Sequence, residues 1–229
     1  MTWDVSPSIV EFKEAVEWFR ERVPLRKASW EKLNAEAKTR AFTVANVSQL
    51  DLVYDVHKAI ETAIEKGTDF EDFKKSIGDK LEKAWAGTVA NPARRLETIF
   101  RTNVQQAYAA GRYVQATDPV LLEDRPFWLF DAVDDQDTTP VCRESDGTIL
   151  PADHPWWRTH IAPLHFKCRS GFLTLTAEQA KALGGVTKKP TDEEPLTGFG
   201  LPPTAPPWEP ERSKYPKDLW DIFQAKADQ

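Results

Sequence analysis

Residues 134–171 constrain the fold of this chain more than any other stretch. They hold both cysteines, Cys142 and Cys168, and three of the four histidines, His154, His160 and His165. Zinc favours Cys sulfur and His nitrogen in a tetrahedral set of four. The step His165-x-x-Cys168 lets two side chains reach one ion from a tight turn, and Cys142 follows the turn-forming pair Thr139-Pro140. The fourth ligand is open: we place His154 in the set, beside His160, with Asp146 and Asp153 as further choices. The same residues also fit a core without metal, in which the cysteines are small buried hydrophobes and the histidines make ordinary hydrogen bonds. If zinc is bound, a structural role is expected, because a catalytic zinc needs an open position beside an acid or base.

Upstream, apolar residues recur at helical spacing. Ser6-Pro7 starts a first helix carrying Phe12, Val16 and Phe19, and Pro24 stops it. A second pattern begins near Ser29, includes Ala37, and extends as far as Lys66, where Gly67 suits a left-handed cap. Thr68-x-x-Glu71 has the form of a capping box and opens a third helix through Phe73, Ile77 and Leu81. Residues 93–117 form a fourth, with Gly111 either a weak point or a place of close packing. Short strands are expected at 127–133, 148–150 and 171–176, separated by an acidic turn at 134–139. From Lys188 the chain is rich in proline but punctuated by Trp208, Tyr215 and Trp220, so it reads as an extended docking arm. The expected fold class is α+β. A helical region spans 1–90, a small mixed α/β domain with a short antiparallel sheet and the Cys/His cluster spans 91–176, and an extended tail spans 177–229.

Charge narrows the partners. The chain carries 36 acidic and 30 basic side chains, a net charge of −6. A dedicated nucleic-acid binder usually shows a basic field, so DNA is expected at most as a weak or transient contact. No segment approaches the apolar length of a membrane span and none has signal-peptide form, so the chain reads as cytosolic at synthesis, with reduced thiols. Phosphate-binding glycine loops and the Gly-x-Ser-x-Gly and His-Glu-x-x-His motifs are missing from the sequence. Arg101 and Asn103 share a helix; Arg101 is expected to organise the acidic loop, Asp134 and Asp137 included, through a bidentate carboxylate pair. Trp156-Trp157 is expected to plug the edge of a small core.

Taken in order, these residues resemble the phage head morphogenesis family, the phage Mu F-like minor capsid proteins. The helix with Arg101-Thr102-Asn103, Ala107 and Gly111-Arg112 is followed by a strand, the acidic Thr-containing turn, Cys142 and Asp146-Gly147. Then come Asp153-x-Pro155-Trp156 and Pro163-x-His165-x-x-Cys168-Arg169. The flanks are similar to the same branch at residues 14–20, 40–45 and 208–216. One departure is Gln136-Asp137, where the family's turn often carries Arg before Thr. The resemblance implies a non-enzymatic minor head protein of a tailed phage or prophage, acting in the virion head and, during assembly, in the host cytoplasm. Portal protein and other capsid components are its implied partners, with packaging or ejection of DNA as an associated step. The rival expectation is a metal-dependent nuclease or hydrolase using Asp135, Asp137, His154 and His165.

Overall fold

The structure, a computed structural model, describes residues 12–33, 38, 40–203, 217, 220 and 221. The expected helix start at Ser6-Pro7 and the calls on Ala37, Trp208 and Tyr215 lie outside them.

The fold is α+β, as expected. Helix α1 (Lys13–Arg20) buries Ala15, Val16 and Phe19 on one face. Strand β1 (Val23–Pro24) follows, then a single turn α2 (Lys27–Trp30) and strand β2 (Ala41–Phe42). Helix α3 (Leu50–Lys66) ends at Gly67, whose φ of 62° gives the left-handed cap. The expectation of one helical pattern from Ser29 to Lys66 is corrected here. Its middle pairs in parallel with β1, Val23 opposite Ala41 and Pro24 opposite Phe42, and Asn46 takes a positive φ. A backbone that gives its hydrogen bonds to a ladder cannot also give them to a helix.

Helix α4 (Phe70–Ala84) is capped by Asp69, which accepts the Asp72 amide, rather than by a Thr68–Glu71 box. Helix α5 (Pro92–Ala116) is capped by Asn91 and starts with proline, the position where a missing amide hydrogen costs least. Gly111 marks close packing: a Cβ there would lie 2.8 Å from the Ala15 amide nitrogen and the Phe12 ring. Helices α1, α3, α4 and α5 enclose the first core, with Phe19, Val53, Ile60, Leu81, Trp85 and Leu96 fully buried.

The second unit follows α6 (Pro119–Asp124). Strands β3 (Phe127–Asp131), β4 (Ile149–Pro151) and β5 (Gly171–Leu175) form an antiparallel sheet in the order β4-β3-β5. Alternation along β3 sends Trp128 and Phe130 into a core with Leu150, Trp156, Trp157, Leu164 and Phe172. The opposite face, with Phe127, Leu129, Ile149 and Leu175, is covered by Ala180 of α8 (Ala177–Ala182). Helix α7 (Pro140–Ser145) crosses between β3 and β4. The tryptophan pair lies in the 3-10 turn Pro155–Arg158 and is buried.

Residues 188–203 run without regular secondary structure and strap the sheet unit. Trp156 Nε1 donates to the Thr191 carbonyl, and His160 Nε2 lies 2.9 Å from the Glu193 carbonyl. Further on, the Ile161 amide donates to Gly200 and the Gly200 amide to Pro163. Gly200 has φ 79°, and a Cβ would collide with the Thr159 carbonyl, so the strap closes down only with glycine here. Trp220 is helical and half-buried.

Candidate metal centre

Two local structures bring the cluster together. Pro140 fixes the first turn of α7, and Cys142 then projects inward from it. The turn at residues 165–168 reverses through Lys167, which takes φ 58°, an uncommon conformation for a residue with a Cβ. Its amide donates to Thr102 Oγ1 and its ammonium meets Glu97 at 2.6 Å, both on α5. The turn is thereby tethered to the long helix, with His165 and Cys168 facing Cys142.

Cys142 Sγ lies 3.3 Å from His165 Nε2 and 3.7 Å from Cys168 Sγ. All three ligand atoms fall within 4.8 Å of one another, and among the described residues this is the group that could hold a metal ion. Zn–S bonds of ~2.3 Å at the tetrahedral angle place two sulfurs about 3.8 Å apart. The observed spacing therefore suits two corners of such a site. His165 Nδ1 lies 2.8 Å from the Phe166 carbonyl, which leaves Nε2 as the inward nitrogen.

The electrostatics follow from this crowding. The Cys142 thiol beside it, then His165, pull Cys168 down to about 4 against the opposing effect of burial. Cys142 moves up, because its neighbour Cys168 takes the thiolate and because it is buried. The same thiolate raises His165. One thiolate, one thiol and an imidazole biased toward its cation make a site that releases protons when a metal binds.

The remaining candidates stand elsewhere. His154 caps the 3-10 turn, its Nδ1 accepting from the Trp156 amide, and is not one of the three clustered ligands. His160 stacks on Trp156 at 4.1 Å. Arg101 does not reach the acidic loop: it pairs with Glu97 one turn back on the exposed side of α5. The bidentate partner of that loop is Arg169, next to Cys168, which grips Asp135 with both nitrogens at 2.5 Å. This pair holds the Asp135 carboxyl down at about 2. Arg143 adds bonds to the carbonyls of Asp135 and Thr138. Asp134 and Asp137 are exposed, and the Asp137 amide donates to Asp135. Asp146 accepts the Ala132 amide, closing the β3–β4 connection. Asn103 Oδ1 accepts from Arg22, a buried arginine that the sequence did not single out.

Comparison with known proteins agrees with the order of these elements. The sequence profile of the phage Mu protein F like family matches residues 54–173, from α3 to β5. The chain is similar to a protein named as a capsid assembly protein, F, of Escherichia phage Mu. The two are 32% identical over 187 residues, covering 75% of this chain and 42% of that protein. It is also similar to the Mu-like prophage FluMu F protein of Haemophilus influenzae, at 33% over 166 residues, 68% of this chain and 40% of that one. The matches thus span about two fifths of the length of these relatives. No solved structure matches.

Proposed function

The chain belongs to the phage Mu protein F like family, and from that premise we propose that it is a minor head protein that works by adhesion and not by catalysis. It acts in head morphogenesis near the portal, within the host cytoplasm during assembly and in the virion head afterwards. Its partners are the portal protein and other capsid components, with DNA packaging or ejection as an associated step and DNA contact brief. The helical region over 1–90 and the tail over 177–229, with Trp208, Tyr215 and Trp220, supply docking surfaces around the module at 91–176. Among the described residues no helix is long and apolar enough to cross a membrane.

In this reading a structural zinc clasps the module through Cys142, His165 and Cys168. Zinc would supply cross-linking across the turn, and the chain's own residues position it. His154 is committed as a cap, so the fourth corner falls to a partner's side chain, which would close the site as a structural zinc requires. The observation that carries the reading is that the family match takes in every element that builds the cluster, β3, α7, β4 and the 165–168 turn. Cys168 is only 3% exposed. That suits a clasp more than a nucleophile serving a bulky substrate.

The test is deletion of the gene in an inducible prophage that encodes it. We expect induced cells to accumulate aberrant or unfilled heads by electron microscopy. Complementation should restore them, and mass spectrometry of purified virions should find the chain in the head. Normal, DNA-filled heads without it would reject the reading.

A further inference from the structure

A cleft of about 770 Å³ opens between the helical core and the strap. Its walls are aromatic: Trp18, Trp30 and Phe42 on one side, Phe166 and Phe199 on the other. Phe166 is 57% exposed and meets Phe199 edge-on at 4.9 Å. A large aromatic side chain left in water beside a cleft is informative, because folding had every reason to bury it.

The charges around the cleft are one-sided. Arg22, Lys27, Lys38, Arg94 and Arg95 line it, and among the described residues no Asp or Glu does. This occurs in a chain with 36 acids against 30 bases. Lys38 sits over the Trp30 ring at 4.5 Å, so that cation and aromatic face share one surface. Arg94 is exposed at the start of α5, where its amide caps on Asn91. Arg22 is buried in the floor, pulled down to about 10 by that burial, and spreads its guanidinium over the Ala41 carbonyl, Asn103 and Gln106.

We propose that this cleft docks an acidic segment of another capsid protein, one that seats aromatic or large aliphatic side chains between Phe166 and Trp30 and pairs its carboxylates with Arg94 and Lys38. The proposal rests on the assembly reading and names the chemistry of its partner. Anchor side chains in a groove supply affinity, and complementary charge supplies register and encounter rate. A nucleic acid is the poorer occupant. The lining is largely apolar, and the net charge of −6 opposes a long polyanion. Phe166 also lies between His165 and Cys168, so one wall of the groove is held by the metal-centre turn.

The experiment is selection of a random twelve-residue peptide library against the immobilised full chain, followed by fluorescence anisotropy on the peptides recovered. Recovered peptides should carry net negative charge and at least one aromatic or large aliphatic residue. Arg94→Glu and Phe166→Ser should each weaken them about tenfold or more, and Lys75→Glu, on the far side of α4, should leave them unchanged. Both groove positions are exposed, and unchanged thermal unfolding of the variants will separate lost docking from lost folding. The proposal is overturned by neutral or basic peptides, by affinity indifferent to both groove variants, or by a selection that returns nothing. It also falls if a twelve-nucleotide oligo-dT, or a synthetic peptide of residues 204–229, competes for the groove more strongly than the selected peptides. None of these results touches the prophage deletion phenotype, so the two readings fail separately.

Discussion

The helical half and the sheet half of this molecule are built on different physical terms. In the helical half, four helices bury a continuous apolar set from Ala15 to Ala107, and the buried charged side chains Arg22 and Glu61 are held by hydrogen bonds and ion pairs at its margin. The sheet half is smaller, with three strands of three to five residues and short helical turns. A sheet of that size covers little apolar area, and small units of this kind generally need a staple. Here the staple is a Cys/His cluster, an edge-to-face and tilted aromatic cluster of Trp128, Trp156, Trp157 and Phe172, and a strap from residues 188–203. The lesson is that one half can lose a side chain and relax, whereas the other depends on a few convergent groups.

The largest expected effect exploits that difference. If the cluster holds zinc as proposed, removing it with a chelator, or replacing Cys142 and Cys168 together by Ser, should strip amide-exchange protection from β3 and β5 while α3 and α4 keep theirs. Structural zinc contributes on the order of 10 kcal/mol to small folding units. Loss of protection in both halves in a single step would break the comparison and make the molecule one cooperative unit. Next in size, Ile60→Ala in the helical half should cost about 2–5 kcal/mol, read as a lower urea midpoint, with zinc stoichiometry unchanged. A loss of bound zinc in that variant would mean that the halves are coupled more tightly than their separate cores imply.

The smallest effect is electrostatic. Glu61 is buried, which alone would raise its carboxyl, but bonds to Arg20 at 2.7 Å and Lys58 at 2.8 Å bring it below its ordinary value of 4.5. A depressed carboxyl stabilises the fold above that value and ceases to do so as pH falls through its lowered one. Glu61→Gln should therefore cost stability at pH 6, by less than about 1 kcal/mol because both cations are half exposed, and cost less at pH 3. Equal deficits at both pH values, measured by thermal unfolding, would show that the loss is packing and not charge.

How much was legible in the sequence divides along the same line. Helical periodicity placed α4 and α5 to within a residue or two of their ends, because a repeat of 3.6 is a local signal. It failed between Ser29 and Leu50, where the pairing of β1 with β2 is settled by residues far apart in sequence. The proximity of Cys142, His165 and Cys168 could be suspected from their types and spacing. The role of Arg169 could not: the expectation fell on Arg101, and only the 165–168 turn decides which arginine faces the loop. The groove was invisible for the same reason: Trp30, Arg94 and Phe166 are far apart in sequence and come to line one cleft only in the folded chain.

Helix α5 belongs to both halves. Leu96, Phe100 and Ala107 serve the first core and Ala116 the second, and Thr102, Gln105 and Arg112 reach the backbone of the 165–168 turn, of Ser170 and of β5 in that order. A graft that transplanted the sheet unit alone, starting at Phe127, would strand those bonds and tear away one wall of the cleft. A portable unit must begin no later than Asn91, so any natural or engineered fusion that borrows the Cys/His cluster has to inherit the long helix with it.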